Sequence, residues 1–159
     1  MTIRKLFFSI LTVALLFVAT GCDSNDDDDQ SDAELFVGTW NAVGVSDGTG
    51  DQTQSFASSI SQFQIVFDAD GTYDLSVVFT DQRSPIQFSN ASYSVNETTD
   101  TITLVIPAAV TGSGDLSLPF SYDFESDTRV GLSNTALVPI INSLFQTTYT
   151  GTVTITVQK

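Results

Sequence analysis

The chain has 159 residues, with 19 Asp and Glu against 5 Lys and Arg, one Cys and no His, and its formal net charge is −14. This excess of acid argues against binding nucleic acid, which needs Lys and Arg to neutralise phosphates. The absence of His excludes a Ser–His–Asp triad, a neutral-pH imidazole base and a zinc site built from His and Cys. The composition therefore predicts a protein that is not an enzyme and has no metal or other cofactor.

The first 21 residues have the three parts of a secretory signal peptide. Arg4 and Lys5 precede an apolar run over residues 6–19, and small residues follow it. A helix over that run rises only about 21 Å, whereas the hydrocarbon core of a bilayer is roughly 30 Å thick. A signal peptide over residues 1–21 is therefore a better interpretation than a permanent membrane span.

The single cysteine, Cys22, directly follows Ala19, Thr20 and Gly21. This stretch resembles the lipobox of bacterial lipoproteins. The resemblance implies that the signal is cut before Cys22, that the Cys22 sulfur carries lipid, and that acyl chains hold the protein on a membrane. A lone cysteine cannot form an internal disulfide, and an exposed free thiol outside the cytoplasm is a liability. The alternative is an ordinary signal peptide followed by an incidental thiol.

An acidic stretch follows the cysteine and contains Asp23, Asp26, Asp27, Asp28 and Asp29. Its composition predicts a flexible, self-repelling tether over residues 22–34. The stretch also resembles the acidic export signal of lipoproteins of the Bacteroidetes. That resemblance implies display on the outer face of the outer membrane. An outer-membrane anchor that faces the periplasm is the alternative location.

Alternation of apolar and polar residues predicts β-strands through residues 35–159. The first strand is expected at 36–45, before a long loop over 46–61. A hairpin with its turn at Asp68–Gly71 follows, and a shift of apolar parity in the next strand predicts a β-bulge at Ser89–Asn90. The remaining predicted elements are strands at 101–106, 116–124, 128–132 and 148–157, and one short helix at 136–145.

Eight short antiparallel strands, joined mostly by hairpins, predict a single all-β domain over residues 35–159. An up-and-down barrel would remove the exposed strand edges, whereas a β-sandwich would leave two sheets packed face to face. Strand periodicity does not separate these two closures.

Two short motifs favour the barrel. Gly38-Thr39-Trp40 resembles the G-x-W opening of lipocalin-type barrels, and residues 67–73 resemble a hairpin of the lipocalin-like domains of secreted bacterial lipoproteins. The resemblance implies an eight-stranded barrel in which Trp40 packs over the closed end. In lipocalins an Arg from near the end of the chain often covers that Trp. Arg129 is the nearest candidate here.

Aromatic side chains on the predicted inward faces suggest two functions. They either line a pocket for a small apolar ligand or fill the core of a barrel that contacts a protein or glycan through its surface. The loop over 46–61 and the helix over 136–145 would flank the mouth of such a pocket. A void of several hundred Å³ would favour the ligand, and a solid interior beside an exposed apolar patch would favour the partner. We expect a monomer in either case. The aromatic residues concerned are Trp40, Phe63, Phe67, Tyr73, Phe79, Tyr93, Phe120 and Phe124.

Overall fold

A computed structural model describes residues 30–136 and 138–159. The predicted signal peptide, Cys22 and the acidic stretch 23–29 lie outside the described residues. The strands are β1 Gly38–Asp47, β2 Gly50–Asp51, β3 Ile60–Phe67, β4 Thr72–Phe79, β5 Ile86–Asn96, β6 Thr101–Ile106, β7 Leu116–Ser126, β8 Arg129–Asn134 and β9 Val153–Gln158. The helices are α1 Asp32–Phe36, α2 Thr53–Ser59, α3 Ala108–Thr111 and α4 Val138–Phe145.

The sheet closes on itself as an up-and-down barrel. Each strand from β3 to β9 pairs antiparallel with its neighbour in sequence, and β1 pairs with both β3 and β9. The two-residue strand β2 lies outside this ring and pairs only with the end of β1. The predicted eight-stranded barrel is confirmed, and the β-sandwich alternative is wrong because the β1–β9 pairing leaves no open edge in the ring.

The two ends of the barrel are built differently. At one end, here called the α1 end, short turns join β3 to β4, β5 to β6 and β7 to β8, and α1 precedes β1. At the other, here called the α4 end, the longer connections contain α2, α3 and α4. Turn residues explain the short connections: Gly71 has φ +83° and Asp100 has φ +46°, values that ordinary side chains adopt rarely.

The predicted bulge and the predicted helix are both present. Tyr73 pairs with Ala91 and Leu75 with Phe88, so one extra residue of β5 faces β4. Asn90 takes φ +56° there, and its backbone N–H donates to a carboxylate oxygen of Asp74 at 2.9 Å. The bulge explains the parity shift, because an inserted residue moves the following side chains to the opposite face. Helix α4 occupies the place of the predicted helix before the last strand.

The first predicted strand begins too early. Phe36 ends α1, and β1 starts at Gly38. A capping box starts the helix: the Glu34 backbone N–H donates to Ser31 Oγ at 3.3 Å, and the Ser31 N–H donates to Glu34 Oε2 at 3.1 Å. Helix α1 therefore crosses the boundary predicted at residue 35 between tether and barrel.

Two further predicted spans differ from the structure. The expected loop over 46–61 contains the end of β1, then β2, α2 and the start of β3. The last strand begins at Val153 rather than near Thr148, because the Asn142 side chain holds the preceding backbone in a non-strand conformation. Its amide donates to the Tyr149 carbonyl at 2.9 Å and accepts from the Tyr149 N–H at 2.8 Å.

The inward strand faces form one apolar core. Trp40, Ile102, Val130 and Val157 are fully buried, and apart from three tyrosines no polar or charged residue among the described ones is buried. Burial of this apolar surface is the main stabilising force of the barrel. Within the described part of the chain, no helix has both the length and the apolar character that a membrane crossing requires.

Candidate functional site: an apolar cavity at the α4 end

Aromatic side chains close the α1 end of the barrel. The Phe36 ring lies 5.5 Å from Phe67, 5.1 Å from Tyr122 and 5.0 Å from Phe124, centroid to centroid. Trp40 is fully buried beside them, and its Nε1–H donates to the Phe36 carbonyl at 2.5 Å. The ring and the backbone carbonyl of Phe36 thus complete an aromatic plug that fills this end of the barrel. The plug consists of Phe36, Trp40, Phe67, Tyr122 and Phe124.

Lys159 covers Trp40 at this end. Its ammonium nitrogen lies 4.9 Å from the Trp40 ring centroid and donates to the Leu35 carbonyl at 2.7 Å. Gly38 lies beside this lysine and takes φ +129°, a backbone conformation that other residues rarely adopt. Arg129, the predicted cover, is the wrong residue, because its Nε lies 2.7 Å from Glu125 Oε2 instead.

Lys159→Met is expected to lower the free energy of unfolding by about 1 kcal/mol, because it removes a cation–π contact and a charge-assisted hydrogen bond. Arg129→Met is the matched control and is expected to cost less than about 0.5 kcal/mol, since its ion pair is exposed. Urea unfolding of both variants checks the difference. Equal losses would contradict the assignment of Lys159 as the cover of Trp40.

A cavity of about 150 Å³ lies inside the opposite half of the barrel. Its walls come from the inward faces of the strands, and α3 and α4 form its rim. Val110 on α3 is 44% exposed, so the cavity reaches the surface there. Its apolar wall residues include Ile65, Val77, Leu104, Phe120, Leu132 and Ile155, with Val110, Ile140 and Ile141 at the rim.

The described residues that line the cavity present almost no hydrogen-bonding group. Of these lining residues, Tyr73 alone has a polar side-chain atom. Its hydroxyl donates to the Val105 carbonyl at 3.2 Å. Burial raises the pKa of Tyr73 well above its usual value, so the phenol stays neutral. A guest in this cavity would therefore be held by apolar contact rather than by hydrogen bonds.

The structure divides the predicted aromatic residues into groups. Phe63, Tyr73 and Phe120 line the cavity. Trp40, Phe67 and Phe124 lie at the plug, and Tyr93 is partly buried against Phe67, with ring centroids 4.8 Å apart. Phe79 is buried at the α4 end, where the Arg83 guanidinium lies 4.1 Å over its ring.

The rim of the cavity was predicted in part. The helix over 136–145 was expected to flank the mouth of a pocket, and Ile140 and Ile141 of α4 lie there. The loop over 46–61, expected beside it, supplies no lining residue among those described, and Val110 of α3 was not predicted. The aliphatic wall residues, such as Leu104, were assigned only to an inward strand face.

The Asp47 carboxylate links two connections at the α4 end through hydrogen bonds. Its Oδ1 accepts from the Thr49 N–H at 2.8 Å and the Thr49 hydroxyl at 2.6 Å, and its Oδ2 accepts from the Thr150 N–H at 2.9 Å. These bonds join the turn after β1 to the segment between α4 and β9. These hydrogen bonds lower the pKa of Asp47 to about 2, and the bond from the Thr49 side chain contributes most.

Asp47→Asn tests this carboxylate through the pH dependence of stability. Because the pKa of Asp47 is lower in the folded state than its ordinary 3.8, its stabilisation is present above about pH 4 and is lost as the pH falls towards 2. We expect a lower urea midpoint for the variant at pH 6, because it places an amide NH₂ where Oδ2 of Asp47 accepts a hydrogen bond. The difference in urea midpoint between the variant and the unsubstituted protein should disappear between pH 4 and pH 2. Asp127→Asn, in the exposed β7–β8 turn, removes the same charge and is the control; it should leave the urea midpoint at pH 6 close to that of the unsubstituted protein.

The site thus defines a class of protein: a closed, antiparallel, eight-stranded barrel that is plugged at one end and holds a small apolar cavity at the other. No protein-family model, curated protein or solved structure matches the chain. Within residues 30–136 and 138–159, no group of His, Cys, Asp and Glu side chains could hold a metal ion. The lipocalin and lipoprotein resemblances therefore stay predictions that rest on their sequence motifs.

Proposed function

We propose that this chain is a membrane-anchored bacterial lipoprotein whose barrel binds a small apolar ligand as a monomer. The observation that supports ligand binding is the apolar cavity of about 150 Å³ at the α4 end. An eight-stranded barrel is just wide enough to hold one small ligand or to be filled by its own side chains. Here the α1 end is filled, whereas the α4 end keeps a space.

The size of the cavity sets the expected affinity. It falls short of the several hundred Å³ that was expected for a ligand-binding interior, but an apolar cavity of about 150 Å³ still holds one benzene-sized molecule. Burying about six carbon atoms at roughly 0.8 kcal/mol each gives about 5 kcal/mol, a dissociation constant of the order of 0.1 mM. The natural ligand is thus small, or a longer molecule that inserts only one end.

Anchoring through Cys22 fits the arrangement of the barrel. The chain enters the described fold at α1, opposite the cavity. The tether therefore joins the plugged end of the barrel, and the cavity rim lies at the end farther from the point of attachment. We propose the outer membrane as the location, with display on the cell surface, on the strength of the lipobox and the acidic residues 23–29.

The alternative function is a surface-displayed lipoprotein with a filled barrel that contacts a protein or glycan. Among the described residues, the large apolar side chains that are exposed are Val43 on the barrel wall and Val110 at the cavity rim. They lie on different elements and form no contiguous apolar patch of the kind that marks a partner surface. The cavity therefore supports ligand binding better than it supports this alternative.

Native mass spectrometry tests the ligand directly. A chain that starts at residue 23 keeps every described residue and would be measured freshly purified, before and after denaturation. The proposal expects a discrete adduct that disappears on unfolding, and its mass would begin to identify the ligand. A bare protein that also takes up no small apolar compound on titration would contradict the proposal.

Cys22→Ser tests the anchor. In a Gram-negative host, the unsubstituted protein is expected in the membrane fraction and the detergent phase of a phase separation, with acyl chains in its intact mass. Cys22→Ser should remove the acyl mass and release the protein, since several acyl chains supply the membrane affinity. Thr20→Ser, a conservative change in the same motif, is the control and should stay anchored. An unlipidated protein with Cys22 intact would contradict the anchor.

A further inference from the structure

We infer that the cavity selects uncharged, ring-sized hydrocarbon groups and rejects charged molecules of the same shape. This inference rests on the proposed ligand-binding function and names the chemical class of its ligand. It is drawn from the walls of the cavity, the charges at the α4 end and the cavity volume.

The described residues of the walls provide no partner for a charge. The lining side chains are apolar apart from Tyr73, and the Tyr73 hydroxyl already donates to the Val105 carbonyl at 3.2 Å. A charged group that enters an apolar space loses its hydration and gains no hydrogen bond in return. The interior therefore favours a neutral guest over an ion of either sign.

The charges at the α4 end also disfavour an anionic head group at the rim. The connections at this end carry Asp47, Asp51, Asp81 and Asp115, against the single cationic residue Arg83. Arg83 Nε lies 2.7 Å from Asp81 Oδ2, and the guanidinium lies over the Phe79 ring. The other Lys and Arg of the described chain, Arg129 and Lys159, lie at the α1 end. An anionic amphiphile thus meets mostly like charge at the rim.

The volume restricts the size of the buried group. A space of about 150 Å³ takes one six-membered ring or a short branched hydrocarbon. Val110, Ile140 and Ile141 surround its rim, so a part of the ligand outside the cavity would also meet apolar surface. The fitting class is a compact neutral hydrocarbon, alone or as the end of a larger uncharged molecule.

Three probes of one shape separate this inference from the proposed function. Toluene, benzoate and benzylammonium would be titrated at pH 7 and 0.15 M salt into the chain from residue 23, with the methyl resonances of Leu104 and Ile141 followed by NMR. The methyl resonances of the exposed Val43 serve as the internal control. We expect toluene to shift the cavity methyls saturably and to bind at least tenfold more tightly than either ion.

The outcomes are distinguishable. An ion that shifts the same methyls with an affinity within tenfold of toluene would overturn the neutral class and leave the proposed ligand binding in place. If none of the three probes shifts the Leu104 and Ile141 methyls, the cavity takes no ligand, and both the inference and the proposed function fail.

Discussion

Trp40→Ala is expected to lower the free energy of unfolding by about 3–5 kcal/mol, the range for large aromatic truncations in a core. Trp40 is fully buried, and its ring packs against Phe36 and Phe124. The substitution leaves a cavity in the plug and removes the donor to the Phe36 carbonyl. A domain of this size has a stability of about 5–15 kcal/mol, so the loss would be a large fraction of the total.

Urea unfolding followed by circular dichroism measures this loss. Val43→Ala is the matched control: Val43 is 43% exposed on the same strand, and its truncation should change stability by less than about 0.5 kcal/mol. Trp40→Phe should fall between the two, because it keeps an aromatic ring but leaves the Phe36 carbonyl without its donor. A loss below about 1 kcal/mol for Trp40→Ala would contradict the plug as the main packing unit of the α1 end.

Leu104→Trp is expected to abolish binding of toluene to the cavity. Leu104 is 7% exposed on β6 and forms part of the cavity wall, so an indole at this position occupies the space of a ring-sized guest. The surrounding void accepts part of the added volume, and the cost in stability should stay below about 3 kcal/mol. The variant should therefore remain a folded β-protein.

Val43→Trp adds the same side chain outside the barrel and is the control. It should leave toluene affinity within twofold of the unsubstituted protein, whereas Leu104→Trp should weaken it at least tenfold. Circular dichroism establishes that both variants fold. A folded Leu104→Trp protein that binds toluene as before would place the binding site somewhere other than this cavity.

Most of the fold can be predicted from the alternation of apolar and polar residues. Because a strand side chain has only two faces to occupy, this alternation predicts the strands and their inward faces, and its parity shift predicts the bulge at Asn90. Helix α1 was readable from Ser31 and Glu34, but the alternation of Phe36, Gly38 and Trp40 suits a strand equally well. Helix α2 has a single buried residue, Phe56, so it leaves no helical period to detect.

The site depends on contacts that no local pattern encodes. Lys159 contacts Trp40 because β9 pairs with β1 and closes the ring. The separation of residues 40 and 159 in the sequence does not predict this contact. The same inward aromatic residues could fill a barrel or leave a void. Which of these occurs depends on how the side chains of β3 to β9 pack against α4.

Xenon under pressure enters dry apolar cavities of this size, so a xenon-pressurised crystal of the chain from residue 23 shows whether the barrel holds the cavity. We expect one strong xenon peak inside the barrel, bounded by Leu104, Phe120 and Ile155, with the aromatic plug at the α1 end unchanged. If these side chains close the space and the interior takes no xenon, the barrel is filled and has no cavity for a ligand.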